Sequence, residues 1–144
     1  MAAFLFDNRT IFSYNIKQVH MAVYRYIDDF TIGNTYTLVR PFDVLPKGES
    51  IDHVIWTVKA NFADPDHAAF FEVHITTTQT ASGIAIVNPD GSAQFTFIVQ
   101  PSQSLLMDSY ATYYYDIQLG FVSGDNYAVE YGKLFTGLMV TQVH

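Results

Sequence analysis

The chain has 144 residues, 49% hydrophobic and 16% aromatic, and its 14 acidic against 7 basic residues leave a formal charge of −7. That length suits one domain with a real core, and so many aromatics with so few charges exclude a disordered chain. The acidity argues against nucleic acid or an anionic membrane as partner, and no run of 18 apolar residues exists to span a bilayer.

Residues 1–34 differ from the rest. The start, Met1-Ala2-Ala3-Phe4-Leu5-Phe6, is interrupted by Asp7 and Arg9 and has no basic region before its apolar run, so it does not read as a signal peptide. The sequon Asn8-Arg9-Thr10 is then a chance match, and the absence of Cys points to assembly in a reducing cytosol. Seven aromatics fall in this segment: Phe4, Phe6, Phe12, Tyr14, Tyr24, Tyr26 and Phe30. Three basic residues (Arg9, Lys17, Arg25) cancel three acidic ones (Asp7, Asp28, Asp29), and neither Gly nor Pro occurs before Gly33. These features predict an N-terminal docking arm whose seven rings bury against a partner. Ile16, Val19, Val23 and Ile27 recur at helical spacing behind Asn15, a capping residue type, so a short helix is expected over 15–28 after an extended stretch. The same segment also alternates as Val19, Met21, Val23, which leaves a strand open.

Residues 35–144 read as strands between turns. Turn residues recur at Pro46-Lys47-Gly48, Asp64-Pro65-Asp66, Ser82-Gly83, Asn88-Pro89-Asp90-Gly91, Ser123-Gly124-Asp125-Asn126 and Gly132-Lys133, at the spacing of an all-β sandwich or barrel. Apolar and polar residues alternate between them. Val54, Trp56, Val58, Ala60 and Phe62 form one such series, and Phe71, Val73 and Ile75 another. Phe95, Phe97 and Val99 form a third, followed by Tyr113, Tyr115, Ile117, Leu119 and Phe121. A period of two places one face in a core and the other in water. With further strands near 35–40, 83–88, 126–131 and 134–142, the expectation is an all-β, Ig-like antiparallel sandwich of seven to eight strands. Its core is expected to contain Trp56, Val58, Phe71, Val73, Phe95, Phe97, Tyr115 and Ile117. Trp56 stands where Ig-like sandwiches place a core Trp, and the run Asp108–Tyr113 resembles their tyrosine corner.

Chemistry-bearing motifs are few. Without Cys there is no thiol nucleophile, and there is no Gly-x-Ser-x-Gly, phosphate-binding Gly loop or His-Glu-x-x-His. His20, His53, His67, His74 and His144 have no zinc-ligand spacing. Asp64-Pro65-Asp66-His67 is the best carboxylate cluster. It reads as a turn whose side chains bond backbone N–H groups, with Ca²⁺ binding the weaker alternative. Tyr110 and Tyr114 are candidates for stacking on a sugar, against ordinary cross-strand packing. No catalytic residue, cofactor or metal is expected.

The C-terminal third carries a resemblance. Tyr113-Tyr114-Tyr115-Asp116-Ile117-Gln118-Leu119 is followed by Gly124-Asp125-Asn126-Tyr127-Ala128-Val129-Glu130-Tyr131-Gly132-Lys133-Leu134 and a closing Val140-Thr141. Upstream, Trp56 lies on its strand ahead of Asp64, Asp66 and Ala68. Together, over roughly residues 33–142, these segments resemble the small Ig-like structural proteins of tailed bacteriophages. Ala128 stands where that pattern has Thr, and the aromatic arm is not part of it. The resemblance implies a non-enzymatic virion component, made in the host bacterial cytoplasm, that decorates and cements the capsid. Its partners would be the major capsid protein and copies of itself. A tail or baseplate adaptor of the same fold, contacting tail or baseplate subunits, and a carbohydrate- or host-surface-binding module are the alternatives.

Overall fold

The computed structural model describes residues 22–43, 45 and 49–137. Eight strands form two sheets packed face to face, β1 (Val23–Phe30), β2 (Tyr36–Phe42), β3 (Ile51–Lys59), β4 (Phe71–Ile75), β5 (Gly83–Val87), β6 (Ala93–Val99), β7 (Thr112–Phe121) and β8 (Asn126–Thr136). The larger sheet has the order β1-β8-β7-β3-β4 and the smaller β2-β6-β5. The pairs are antiparallel except β1 with β8, which run parallel. The chain is thus an all-β sandwich, and its order follows the Ig variable-type scheme, with β8-β7-β3-β4 as G-F-C-C′ and β2-β6-β5 as B-E-D.

The period of two in the sequence builds the interior. Trp56, Val58, Phe71, Val73, Phe95, Phe97, Tyr115 and Ile117 are all buried. Each contributes about 1.5–3 kcal/mol by leaving water. Trp56 is fully buried, with the rings of Phe71, Phe97 and Tyr115 packed around it at centroid distances of 5.6, 5.8 and 6.4 Å. The link from β6 to β7 passes through a single helical turn, α1 (Pro101–Ser104), closed by the Gln100–Gln103 capping box. At its end the Asp108 N–H donates to the Tyr113 hydroxyl at 2.8 Å, the bond that makes a tyrosine corner.

Four expectations need correction. Where described, the segment 15–28 is not a helix: residues 23–30 are β1, and residues 15–21 lie outside the described residues. Val23, Arg25 and Ile27 take the inward phase and Tyr24 and Tyr26 the outward one, because the open edge of β8 offers backbone partners to residues of high strand propensity. A register shift between Ile27 and Phe30 then turns Phe30 inward. Consequently, Gly33-Asn34 is not a boundary between arm and body. Ile27, Phe30 and Ile32 belong to the same buried cluster as Trp56, and the Gly33 N–H is held by the Ser104 hydroxyl at 2.9 Å.

The third correction concerns Gly132-Lys133, which is mid-strand rather than a turn, so β8 is one long strand. Gly132 is there for space. A Cβ at that position would lie 1.7 Å from the Arg25 carbonyl oxygen, so β1 can approach β8 only across a glycine. The last concerns Phe62. β3 ends at Lys59, and the ring stands 61% exposed in the loop beyond it instead of continuing the buried series.

Candidate functional site

Outward side chains of β1, β8 and β7 build the most distinctive surface of the molecule. Register places Tyr24 beside Tyr131, Tyr26 beside Lys133, Lys133 beside Tyr114 and Asp116 beside Tyr131. The rings touch one another in a chain. Tyr24 meets Tyr26 and Tyr131 at centroid distances of 5.3 and 5.1 Å, Tyr26 stacks on Phe135 at 5.8 Å, and Phe62 reaches both Tyr114 and Tyr131 at 6.4 Å. Contact does not hide them: Tyr24, Tyr26, Phe62 and Tyr131 remain 43%, 56%, 61% and 36% exposed. Six aromatics linked by these contacts on one sheet face form a contiguous apolar patch, the kind a soluble monomer seldom leaves uncovered.

Its charges are sparse. Lys59 pairs with Asp66 at 2.9 Å. Asp116 lies between β8 and β3 with its Oδ1 buried and without a hydrogen-bond partner among the described residues. Burial raises the Asp116 carboxyl above the usual range, and the nearby Lys59 charge opposes that rise. The Tyr24 phenol is also raised, through its hydrogen bond with Tyr26.

A second feature lies at the open side of the sandwich. A cleft of about 260 Å³ separates β2 from β1 and β8, lined by residues that include Arg25, Arg40, Phe95 and Glu130. Arg40 reaches across from the smaller sheet, its Nε 2.9 Å from both carboxylate oxygens of Glu130, which is 5% exposed. The Tyr115 hydroxyl donates to Oε2 of the same carboxylate at 2.5 Å. Burial works against the Arg40 charge, but Glu130 more than offsets it, so the guanidinium is held above its ordinary range. The Tyr115 phenol is pushed far upward, first by burial and then by this bond. With Arg40 and Tyr115 on its oxygens and Arg25 within 3.7 Å, the carboxylate ties the two sheets together.

The candidate residues divide unevenly. Of the seven docking aromatics, Phe4, Phe6, Phe12 and Tyr14 lie outside the described residues. Tyr24 and Tyr26 lie on the exposed aromatic face. Phe30 does not dock: it is 1% exposed and stacked on Phe71, because the β1 irregularity turns it into the core. Tyr114 joins the face, whereas Tyr110 stands apart from it, 76% exposed with φ of 54°. Asp64 accepts from the Asn61 N–H at 3.1 Å and Asp66 takes Lys59, the arrangement of a turn. His53 bonds Asp52 and His74 bonds Glu72, each at 2.9 Å. Among the described residues, no three His, Asp or Glu lie close enough to hold one metal ion.

Sequence reasoning missed Phe62, Tyr131, Lys133 and Phe135 as surface residues and Arg40–Glu130 as a buried pair. The signal was present for the β8 members. Tyr131, Lys133 and Phe135 alternate with Glu130, Gly132 and Leu134, once Gly132 is not taken for a turn. No protein-family model matches the chain, and no curated protein matches it.

Proposed function

We propose that this protein is a non-enzymatic structural component of a tailed-bacteriophage virion, decorating and cementing the capsid, and that it joins its assembly through the aromatic face of the larger sheet. The observation that carries this reading is the exposed ring cluster of Tyr24, Tyr26, Phe62, Tyr114, Tyr131 and Phe135. Rings that already contact one another lose little conformational freedom when a partner covers them, so their burial converts efficiently into binding. The sandwich order and the Tyr113 corner agree with the fold that the phage resemblance implies. An acidic body remains soluble at the high local concentration of a particle surface.

A tail or baseplate adaptor would use the same surface, and copy number separates the two locations. Quantitative mass spectrometry of purified particles is expected to show the chain in the hundreds of copies of a capsid lattice; a few dozen or fewer assign it to the tail, and its absence from particles refutes the reading. A second reading is favoured by one feature. Tyr24, Tyr26 and Tyr131 offer flat rings with polar tips around Lys133, a platform suited to stacking on a sugar. A glycan screen tests it, and loss of a glycan signal on replacing Tyr26 would support it over the structural role.

A further inference from the structure

Two groups on the aromatic face are left incomplete within a single chain. Lys133 makes no ion pair among the described residues, and the Asp116 Oδ1 has no hydrogen-bond partner there. They are diagonal neighbours across the β7–β8 ladder, since Lys133 lies opposite Tyr114 and Asp116 opposite Tyr131. On one chain, Lys133 stands among rings, while Asp116 has the Lys59 charge near it and the acids Asp66 and Glu72 opposing. Across a two-fold axis that lies between two facing sheets, parallel to them and at right angles to the line joining these residues, the Lys133 of each copy faces the Asp116 of the other, so the pairing is made twice over.

We propose that the aromatic face is a self-association surface, on which a second copy of this chain packs face to face with Lys133 and Asp116 exchanged between protomers. The occupant follows from charge. Two copies of a chain carrying −7 repel across most of their surfaces. On this face Lys59 is already balanced by Asp66 and Lys133 can be matched by Asp116, with Glu72 toward the β4 edge; the outer face of the smaller sheet is uncharged too, but it offers neither a Lys–Asp exchange nor a ring patch. It also follows from area. The four most exposed rings present on the order of 400 Å². That is about half of what each partner contributes to a standard interface of roughly 800 Å² per side, and the flanking strand positions of the five-stranded sheet supply the rim. Two twisted sheets packed face to face bury such rings at the spacing of a sandwich interior. Burial that disfavours the Asp116 charge is only partly offset by Lys59 in one chain, and a partner ammonium would offset it further.

The inference deepens the proposed function by naming the partner on its surface. Sedimentation equilibrium of the full chain, up to about 100 µM, is expected to show a monomer–dimer equilibrium. Tyr26→Glu and Lys133→Glu should each weaken it by about tenfold or more with unchanged melting curves, and Val39→Glu, on the outer face of the smaller sheet, should leave it intact. Because the chain contains no Cys, Tyr131→Cys introduces a single thiol, and a short bismaleimide should then link the dimer while Ile86→Cys gives no link. A wild-type chain that stays monomeric throughout, or a dimer that survives both Glu substitutions, overturns the proposal. If the chain is monomeric yet Tyr26→Glu is excluded from particles, self-association fails and the proposed function stands. A dimer absent from particles leaves self-association standing and removes the function.

Discussion

The two sheets turn very different faces to solvent. The smaller sheet shows Val39, Ile84, Ile86 and Ile98 among Thr37, Thr96 and Gln94, with no charged side chain in the outward phase of β2, β5 and β6. The larger sheet shows six contacting rings with Lys133 among them. β-Branched residues on an exposed strand need no further explanation than strand propensity, and scattered exposed aliphatics are ordinary. Rings gathered from three strands and a loop into one patch are not explained by propensity. The contrast teaches that exposure alone does not mark a functional surface; contiguity does.

Within β1 the same contrast runs from one residue to the next. Phe30 is sealed against Phe71 and Tyr36, whereas Tyr26, four positions earlier, is more than half exposed. Phe30→Ala should therefore destabilise the fold by about 3–5 kcal/mol in urea unfolding, and Tyr26→Ala by less than about 1 kcal/mol. Deleting residues 2–32 removes β1 entirely and should produce aggregation or a much earlier melt. If that truncation melted like the full chain, the place of β1 in the sandwich would be wrong.

The link between the two sheets is the next largest effect. Glu130→Gln leaves the Arg40 charge facing an apolar interior and should cost about 2–4 kcal/mol, somewhat below a fully buried case because Arg40 is 21% exposed. Replacing the set together, Arg40→Met with Glu130→Leu and Tyr115→Phe, should recover most of that loss. A recovery confined to the combined variant separates a structural ion pair from a catalytic one. Gly132→Ala should cost about 1–3 kcal/mol by driving a methyl into the Arg25 carbonyl. Because it displaces β1, it should also raise the amide exchange of Tyr24 and Tyr26 while sparing the smaller sheet.

The smallest effect belongs to Asp116. Its folded carboxyl is raised by burial, so the folded state holds the proton more tightly than the unfolded one. Stability therefore falls as pH rises from the ordinary carboxylate range, about 4, through the higher folded value. Asp116→Asn should remove that dependence and raise stability at pH 7 by less than about 1 kcal/mol, after allowance for solvent screening. Thermal melts at pH 4 and pH 7 compare the two.

Much of this architecture was legible in the sequence, because a period of two has one reading when one face must be buried. Trp56, Phe97 and Ile117 are inside for that reason, and Tyr113 closes the corner that the Asp108–Tyr113 run suggested. What was not legible depended on partners distant in sequence. Residues 23–27 satisfy helical spacing and alternation equally well, and the free edge of β8, about a hundred positions away, decides between them. Gly132 carries the same residue type as a turn, but its role is set by the strand that crosses it. Arg40 and Glu130 are 90 positions apart and gave no local sign of pairing. The aromatic face was half visible, in Tyr24, Tyr26 and Tyr114. Its other half required knowing that β8 is one strand and that Phe62 folds back from the end of β3.

The most direct test of the central claim compares the two outer faces in assembly. Tyr26→Glu with Phe62→Glu on the larger sheet, and Val39→Glu with Ile86→Glu on the smaller, would be produced in place of the wild-type chain during particle formation, with copies per particle counted by mass spectrometry. Both double variants should melt like the wild type, since all four side chains are at least 45% exposed. The account predicts that the aromatic variant is lost from particles by about tenfold or more, while the aliphatic variant is incorporated normally. Normal incorporation of the aromatic variant would contradict it.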